Sequence, residues 1–263
     1  ALENCTGANN VAIGRQAAKN LTDADKHIAI GYRALYNFTS SDLYTSNIAI
    51  GEDAGYGLVA GSQGTNEGRN VIIGYDAMGE YPEVGGARWN VAIGYKALNY
   101  GGGGAINCVA VGYECLAGSS SSSGAHGNTG LGSQALNDVT TGENNTACGF
   151  SAGSSVNTGE NNLLLGHQAG SNSSPSGTIN SGSNNVVLGN NSISNLYCAD
   201  TSISSSDSRD KTDVTNFTHG LNWVNQLKPI TYRWDKRTWY DDNTPDGSKK
   251  RNKKHIGFLA QDV

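Results

Sequence analysis

The feature that most constrains the fold is an eight-residue segment that recurs along roughly the first three quarters of the chain. Segments such as NVAIGRQA, HIAIGYRA, NVAIGYKA and NLLLGHQA align without gaps. Ten copies follow the pattern Asn, apolar, small or apolar, apolar, Gly, two variable residues, Ala, with departures such as the His in HIAIGYRA. Internal repeats of this size are typical of solenoids, in which a unit too small to fold alone shares a core with its neighbours. The sequence therefore predicts stacked coils.

One glycine in each octet marks the period of the repeat. These glycines are Gly14, Gly31, Gly51, Gly74, Gly94, Gly112, Gly132, Gly149, Gly166 and Gly189. The shortest spacing, 17 residues from Gly14 to Gly31, corresponds to one coil, and longer spacings contain Gly- and Ser-rich insertions. Each octet is too short for a stable helix and alternates Val or Ile with a small residue. It therefore predicts a strand of about four residues followed by a turn.

The small residue between the two apolar ones suggests a second close-packed surface. It is Ala12, Ala29, Ala49, Ala92 and Ala110 in five copies. One face of the coil would then line the interior and another would contact a neighbouring chain, which predicts an oligomer. The composition agrees with small repeated units, because 36 glycines against 4 phenylalanines and 1 methionine leave too little large apolar surface for a layered core.

Charge and cysteine usage exclude several classes of function. The net charge of −5 provides no basic field for nucleic acid, and the basic cluster KKRNKK at 249–254 is interpreted as a solvated loop. No apolar run approaches the roughly 18 to 20 residues that span a bilayer, so membrane insertion is not expected. The five cysteines form no CxxC pair and the histidines are dispersed, so neither a metal nor a cofactor is predicted. Cys115 and Cys148 are interpreted as small buried hydrophobes.

Over residues 8 to 193 the octets resemble the left-handed parallel β-roll repeats of trimeric autotransporter adhesin heads and phage tail fibres. The resemblance implies three rolls packed side by side with the variable loops projecting outward. Aromatic residues in those loops could stack on host sugars or simply anchor the loops. They are Tyr36, Phe38, Tyr44, Tyr56, Tyr81 and Tyr100.

The chain changes character after residue 206, where Trp223, Trp234 and Trp239 and most of the lysines lie. In GLNWVNQLKPITYRWD, the spacing of Leu221 to Leu227 predicts one face of a short helix, and the alternation from Ile230 to Trp234 predicts a strand. A polar loop leads to HIGFLAQDV, which predicts a second strand.

The segments SDSRDKTDV, GLNWVNQLKPITYRWD and HIGFLAQDV together resemble the intramolecular chaperone, or auto-processing, domain of phage tailspikes, endosialidases and tail fibres. That domain trimerises the fibre and then often cleaves itself off as a serine peptidase. The resemblance places the nucleophile at Ser206 and the cut between 205 and 206. A serine hydroxyl needs a base, and Lys211 could serve if burial kept it neutral. Arg209 could supply a cation or bind the oxyanion, and Asp207 could fix the turn.

The predicted fold is mainly β: a trimeric left-handed parallel β-roll solenoid, then a small α+β chaperone domain truncated at its C-terminus. The predicted domains are the repeat rod at 1–193, a linker at 194–205 and the N-terminal part of the chaperone domain at 206–263. Expected enzyme activity is limited to single-turnover self-cleavage by the Ser206 and Lys211 pair.

The predicted function is a structural and receptor-binding component of a phage tail fibre, in the virion and extracellular at the host surface. The expected partners are two further copies of the chain, other tail or virion proteins, and a host glycan or protein. Two alternatives are the head of a bacterial trimeric adhesin and a polysaccharide-degrading tailspike. The second would need a carboxylate site, for which the repeats offer only scattered acids: Glu52, Asp53, Asp76 and Glu114.

Overall fold

The computed structural model describes residues 2–3, 5–39, 46–58, 68–79, 87–99, 104–118, 125–197, 228–242 and 244–257. Ten strands stack in chain order into one parallel sheet, so the repeat region is a parallel β-solenoid. The strands are β1 (Val11–Ile13), β2 (Ile28–Ile30), β3 (Ile48–Ile50), β4 (Val71–Ile73), β5 (Val91–Ile93), β6 (Val109–Val111), β7 (Thr129–Leu131), β8 (Thr146–Cys148), β9 (Leu163–Leu165) and β10 (Val186–Leu188). Each octet thus contributes one strand, as predicted.

The register between strands follows the alignment of the octets. Ala29 pairs with Ala49, and Ala92 pairs with Ala110. The same residues of successive octets therefore stack as rows along the solenoid. This regularity means that the character of each row, whether apolar, amide or glycine, decides what that side of the coil can do.

The small residues of the octets were predicted to form a second surface that contacts a neighbouring chain, and this prediction was wrong. The central strand residues, such as Ala49 and Ala92, are fully buried inside the coil, whereas their larger neighbours are half-buried or exposed. The coil interior is narrow because side chains from its other walls, including Leu35 and Leu98, fill it as well. A small side chain fits there, and the Val and Ile side chains point outward.

Where a central strand residue is large, glycine makes room for it. A Cβ at Gly153 would lie 2.7 Å from Cδ1 of Leu164 and 2.8 Å from Cδ2 of Leu136. Cys115 shows the reverse compensation, because its Sγ would lie 2.5 Å from a Cβ at Gly130. The core is therefore packed by matched pairs from neighbouring coils, which is the close complementarity expected of protein interiors.

An asparagine ladder runs beside the strands, formed by the first residue of the octets, which is Asn in all but the two that begin with His27 and Cys108. Nδ2 of Asn145 donates to Oδ1 of Asn128 at 3.1 Å, and Nδ2 of Asn162 donates to Oδ1 of Asn145 at 2.9 Å. The backbone N–H of Asn162 donates to the same Asn145 oxygen at 3.1 Å. Because these side chains are buried, each amide satisfies polar groups that would otherwise be costly to bury.

From Gly14 to Gly149, the octet glycines form a row in which an added Cβ would clash with the backbone of the next coil. Gly94 has a φ of +135°, and a Cβ there would lie 2.3 Å from the carbonyl oxygen of Gly112. The same holds for Gly74 against Gly94, with a φ of +135° and the same distance of 2.3 Å. Each glycine both turns the chain away from the strand and allows the next coil to approach closely.

The chain divides into two compact units, Ala1–Tyr197 and Cys198–Val263. In the second unit β11 (Ile230–Tyr232) and β12 (His255–Gly257) form an antiparallel pair, with a 3-10 turn at Arg237–Trp239 between them. The two predicted strands are confirmed, and the predicted helix at Leu221 to Leu227 lies outside the described residues. Among the described residues, no helix has the length and apolar character needed to cross a membrane. The boundaries at 193 and 205 stay predictions.

Candidate functional site

Four residues at the start of the chaperone-type segment are predicted to carry self-cleavage. Ser206, Asp207, Arg209 and Lys211 all lie outside the described residues. Their roles therefore stay predictions from the resemblance. The described candidates for a functional surface lie on the solenoid and on the hairpin of the second unit.

One of these surfaces is the outward side of the ten-stranded sheet, which we call the strand face. It consists of the first and third residues of each strand. Its first row is Val11, Ile28, Ile48, Val71, Val91, Val109, Thr129, Thr146, Leu163 and Val186, and its second is Ile13, Ile30, Ile50, Ile73, Ile93, Val111, Leu131, Cys148, Leu165 and Leu188. The side chains are half-buried or exposed, with Ile13 at 59% and Val186 at 68%. At about 4.8 Å per strand the face is roughly 45 Å long.

The two cysteines predicted to be buried differ in environment. Cys115 is buried, and burial raises the pKa of its thiol to about 12. Cys148 is exposed on the strand face, in the row between Leu131 and Leu165, so its assignment to the core was wrong. It stands at the third strand position, which faces outward for the steric reason given above.

A second surface, which we call the ring row, is formed by the residue after each octet glycine. Its members in order are Arg15, Tyr32, Glu52, Tyr75, Tyr95, Tyr113, Ser133, Phe150, His167 and Asn190. Tyr75, Tyr95 and Tyr113 stack with centroids 5.4 and 5.1 Å apart and planes within 7° of parallel. Phe150 stacks on His167 at 5.6 Å. Sequence reasoning missed this row, although the recurring GY dipeptide in GYD, GYK and GYE signalled it.

Three of the four acids considered for a polysaccharide-cleaving site, Asp53, Asp76 and Glu114, are engaged with neighbouring side chains. Asp53 accepts hydrogen bonds from Arg33 at 2.5 and 2.7 Å, and this contact raises the pKa of the guanidinium. Asp76 forms an ion pair with Lys96 at 3.6 Å. Glu114 accepts a hydrogen bond from Gln134 at 3.4 Å. These groups join successive coils, as side chains stacked at the strand spacing will.

The loop aromatics have mixed environments. Tyr36 and Tyr56 stack at 5.3 Å, and Phe38 is buried against His27 at 4.9 Å. Phe38 therefore anchors its loop and cannot bind a sugar. The other three, Tyr44, Tyr81 and Tyr100, lie outside the described residues.

In the second unit the described residues form a basic hairpin with its cations on aromatic rings. The Lys236 ammonium lies 5.2 Å from the ring centre of Trp234, and the Arg251 guanidinium lies 5.1 Å from that of Trp239. The cluster at 249–254 is exposed, as predicted. Such contacts orient long cationic side chains at modest energetic gain.

This hairpin lies within the part of the chain that corresponds to a known family. Residues 206–263 match the family described as chaperone of endosialidase. The match begins at the predicted nucleophile, Ser206, and does not extend into the repeats. No curated protein and no solved structure matches the chain. The chaperone-type segment is thus recognised by the family match, and the solenoid is recognised by the stacking of its ten parallel strands.

Proposed function

We propose that the chain is a structural and host-attachment component of a phage tail fibre, assembled as a homotrimer through the strand face. The observation that carries the proposal is the largely apolar surface of that face, in which Thr129 and Thr146 are the polar members. Exposed apolar surfaces of such extent are rare on monomers and mark interfaces. Burial of two rows of Val, Ile and Leu against other copies would remove this surface from water.

Three copies are favoured by two independent features. The NVAIG-type octets resemble repeats of trimeric heads and fibres, and residues 206–263 match a family described as a chaperone of endosialidase. A chaperone segment at the C-terminal end would bring three chains together before the repeats stack. A solenoid that carries a ring row then suits attachment to a host surface.

Cys148 allows the proposed interface to be tested without disturbing it. In a protein carrying Cys5→Ser and Cys198→Ser, Cys148 is the exposed thiol among the described cysteines, because Cys108 and Cys115 are buried. We expect light scattering to give the mass of a trimer and Cys148 to resist a thiol reagent until the protein is unfolded. Labelling followed by intact-mass measurement gives the rate.

The matched control is Asn172→Cys, which places a thiol at an exposed position away from the strands. It should label rapidly in the same trimer. A monomeric mass would contradict the homotrimer. A trimer in which Cys148 labels as fast as the Asn172→Cys thiol would place the interface elsewhere.

We further propose that the C-terminal segment cleaves itself before Ser206. The support is the start of the family match at Ser206 and the presence of Lys211 five residues later. In this chemistry the Ser206 oxygen attacks the carbonyl carbon of Ser205 while Lys211 accepts the hydroxyl proton. The bond between that carbon and the Ser206 nitrogen then breaks, and Lys211 returns the proton to the leaving nitrogen. The resulting ester is hydrolysed by water, which releases the C-terminal segment.

Replacement of Ser206 by alanine should abolish this cleavage, because alanine has no hydroxyl to attack. Intact-mass measurement on the full-length protein would show an uncleaved chain for Ser206→Ala and a chain ending at Ser205 for the wild type. Ser204→Ala is the matched control and should cleave normally. Equal cleavage of Ser206→Ala and the wild type would remove Ser206 from the mechanism.

A further inference from the structure

Between Tyr75 and His167, the ring row has one position where the stacking of rings is interrupted. Ser133 lies between Tyr113 and Phe150, and backbone hydrogen bonds fix the order of the three coils. The N–H of Gln134 donates to the carbonyl of Tyr113 at 2.8 Å, and the N–H of Ser151 donates to the carbonyl of Ser133 at 2.9 Å. The two rings are therefore separated by two strand spacings, about 9.6 Å, with a small side chain between them.

Both walls of this gap are supported from behind. Tyr113 stacks on Tyr95 at 5.1 Å, and its hydroxyl hydrogen-bonds to Glu114, which raises the pKa of the phenol. Phe150 stacks on His167, whose Nδ1 lies 3.0 Å from Nδ2 of Asn190. The two rings are thus held in place before any ligand arrives, which lowers the entropic cost of binding.

The walls are also accessible, since Tyr113 and Phe150 are each 50% exposed. The gap is one side chain thick, which matches the thickness of a single ring. The residue between the two rings is Ser133, and the row beside it carries Glu114, Gln134 and Ser151. Apolar faces with a polar rim match a ring whose faces carry C–H groups and whose edge carries hydroxyls.

We propose that the gap at Ser133 binds a pyranose ring of a host glycan, sandwiched between Tyr113 and Phe150. The ring occupies the place that an aromatic side chain fills in neighbouring coils. Its hydroxyls contact the Ser133 hydroxyl and the polar groups of Glu114 and Gln134. This inference rests on the proposed attachment role and gives it a ligand class and a place in the repeats.

Single sugars should bind weakly, because the gap offers two ring faces and a few polar groups and encloses little of the ligand. A trimer would carry three such gaps, so a surface with many glycans would be held by avidity. The inference therefore predicts weak binding of monosaccharides together with firm attachment to a dense glycan layer.

The test uses saturation-transfer NMR and titration of the full-length protein with methyl glycosides of glucose, galactose, mannose and N-acetylglucosamine. We expect at least one glycoside to bind through its ring C–H protons. Ser133→Tyr, which completes the row, should weaken that binding by about tenfold or more. The matched control, Thr178→Tyr, adds a tyrosine at an exposed position outside the row and should bind as the wild type does.

N-acetyltryptophanamide is titrated in parallel as an aromatic compound that is not a sugar. Three outcomes would overturn the inference: no glycoside binds, glycoside binding survives Ser133→Tyr, or N-acetyltryptophanamide is the one compound whose binding Ser133→Tyr weakens. Binding of the protein to host cells separates this inference from the attachment role. Cells that bind wild type and Ser133→Tyr equally would overturn the gap while supporting attachment. A glycoside that binds at Ser133 in a protein that binds no host cell would support the gap and overturn attachment.

Discussion

Replacement of Gly94 by alanine should destabilise the solenoid by about 4 kcal/mol or more. Two costs act together at this residue. Its φ of +135° belongs to a region that only glycine adopts readily, and an added Cβ would lie 2.3 Å from the carbonyl oxygen of Gly112. Backbone cannot yield as a flexible side chain can, so the coils on either side of Gly94 must separate.

The loss of stability should appear first in the coils next to Gly94, because each coil contacts mainly its neighbours. In limited proteolysis, Gly94→Ala should be cleaved near the fifth and sixth coils, where the chain opens locally. Urea unfolding should show the lower free energy of unfolding. The loss of stacking at one position could split a single unfolding transition into two. Circular dichroism at increasing urea concentration would record either change.

Gly177→Ala is the matched control for this experiment. Gly177 has a φ of +66°, but an added Cβ there would meet nothing within 4 Å. Its replacement should cost only the left-handed backbone penalty of about 1–2 kcal/mol. Equal destabilisation by the two substitutions would show that the close approach of Gly94 to Gly112 is unimportant.

The repeat predicted the ten strands and their register because its information is local and recurs. Each NVAIG-type octet specifies a strand, a turn and a row position, and identical neighbours stack in only one register. The direction of the side chains was wrong because it depends on the width of the coil. That width is set by residues outside the octet pattern, such as Leu98 and Leu136, which take the interior space and leave only small side chains at Ala92.

The candidate sites were less predictable for a related reason. Tyr75, Tyr95 and Tyr113 occupy variable positions of the octet, so no single repeat marks them. Their importance appears only when successive coils bring them within stacking distance. The gap at Ser133 is defined by its neighbours in space.

We expect the stability of the solenoid to fall at acidic pH because of His27. This residue takes the ladder position that asparagine fills in most coils. Its Nδ1 accepts a hydrogen bond from the N–H of Asn47 at 3.1 Å, and Oδ1 of Asn10 accepts one from the His27 N–H at 2.8 Å. A ring nitrogen can accept only one bond, and Nδ2 of Asn47 has no hydrogen-bond partner among the described residues. Burial lowers the pKa of His27 from 6.5 to about 4, and Asp25 opposes the shift.

Because the folded-state pKa is below the unfolded value, the unfolded chain binds the proton first as pH falls. The contribution of neutral His27 to stability is complete above the unfolded pKa of 6.5 and is lost progressively as pH falls to about 4. Below that value no further loss is expected from this group. The size of the shift corresponds to about 3 kcal/mol in the free energy of unfolding.

His27→Asn should remove this dependence, because asparagine does not titrate and its Oδ1 can accept from both the N–H and Nδ2 of Asn47. The measurement is the free energy of urea unfolding of both proteins at pH 7.5 and at pH 4.5. Acidic groups titrate in both proteins, so the difference between their pH slopes isolates His27. We expect the wild type to lose more stability than His27→Asn over this range. Because His27 is buried against Phe38, its protonation in the folded coil should carry a cost. Parallel slopes would contradict this prediction, because they would mean that His27 is protonated as easily in the folded coil as in the unfolded chain.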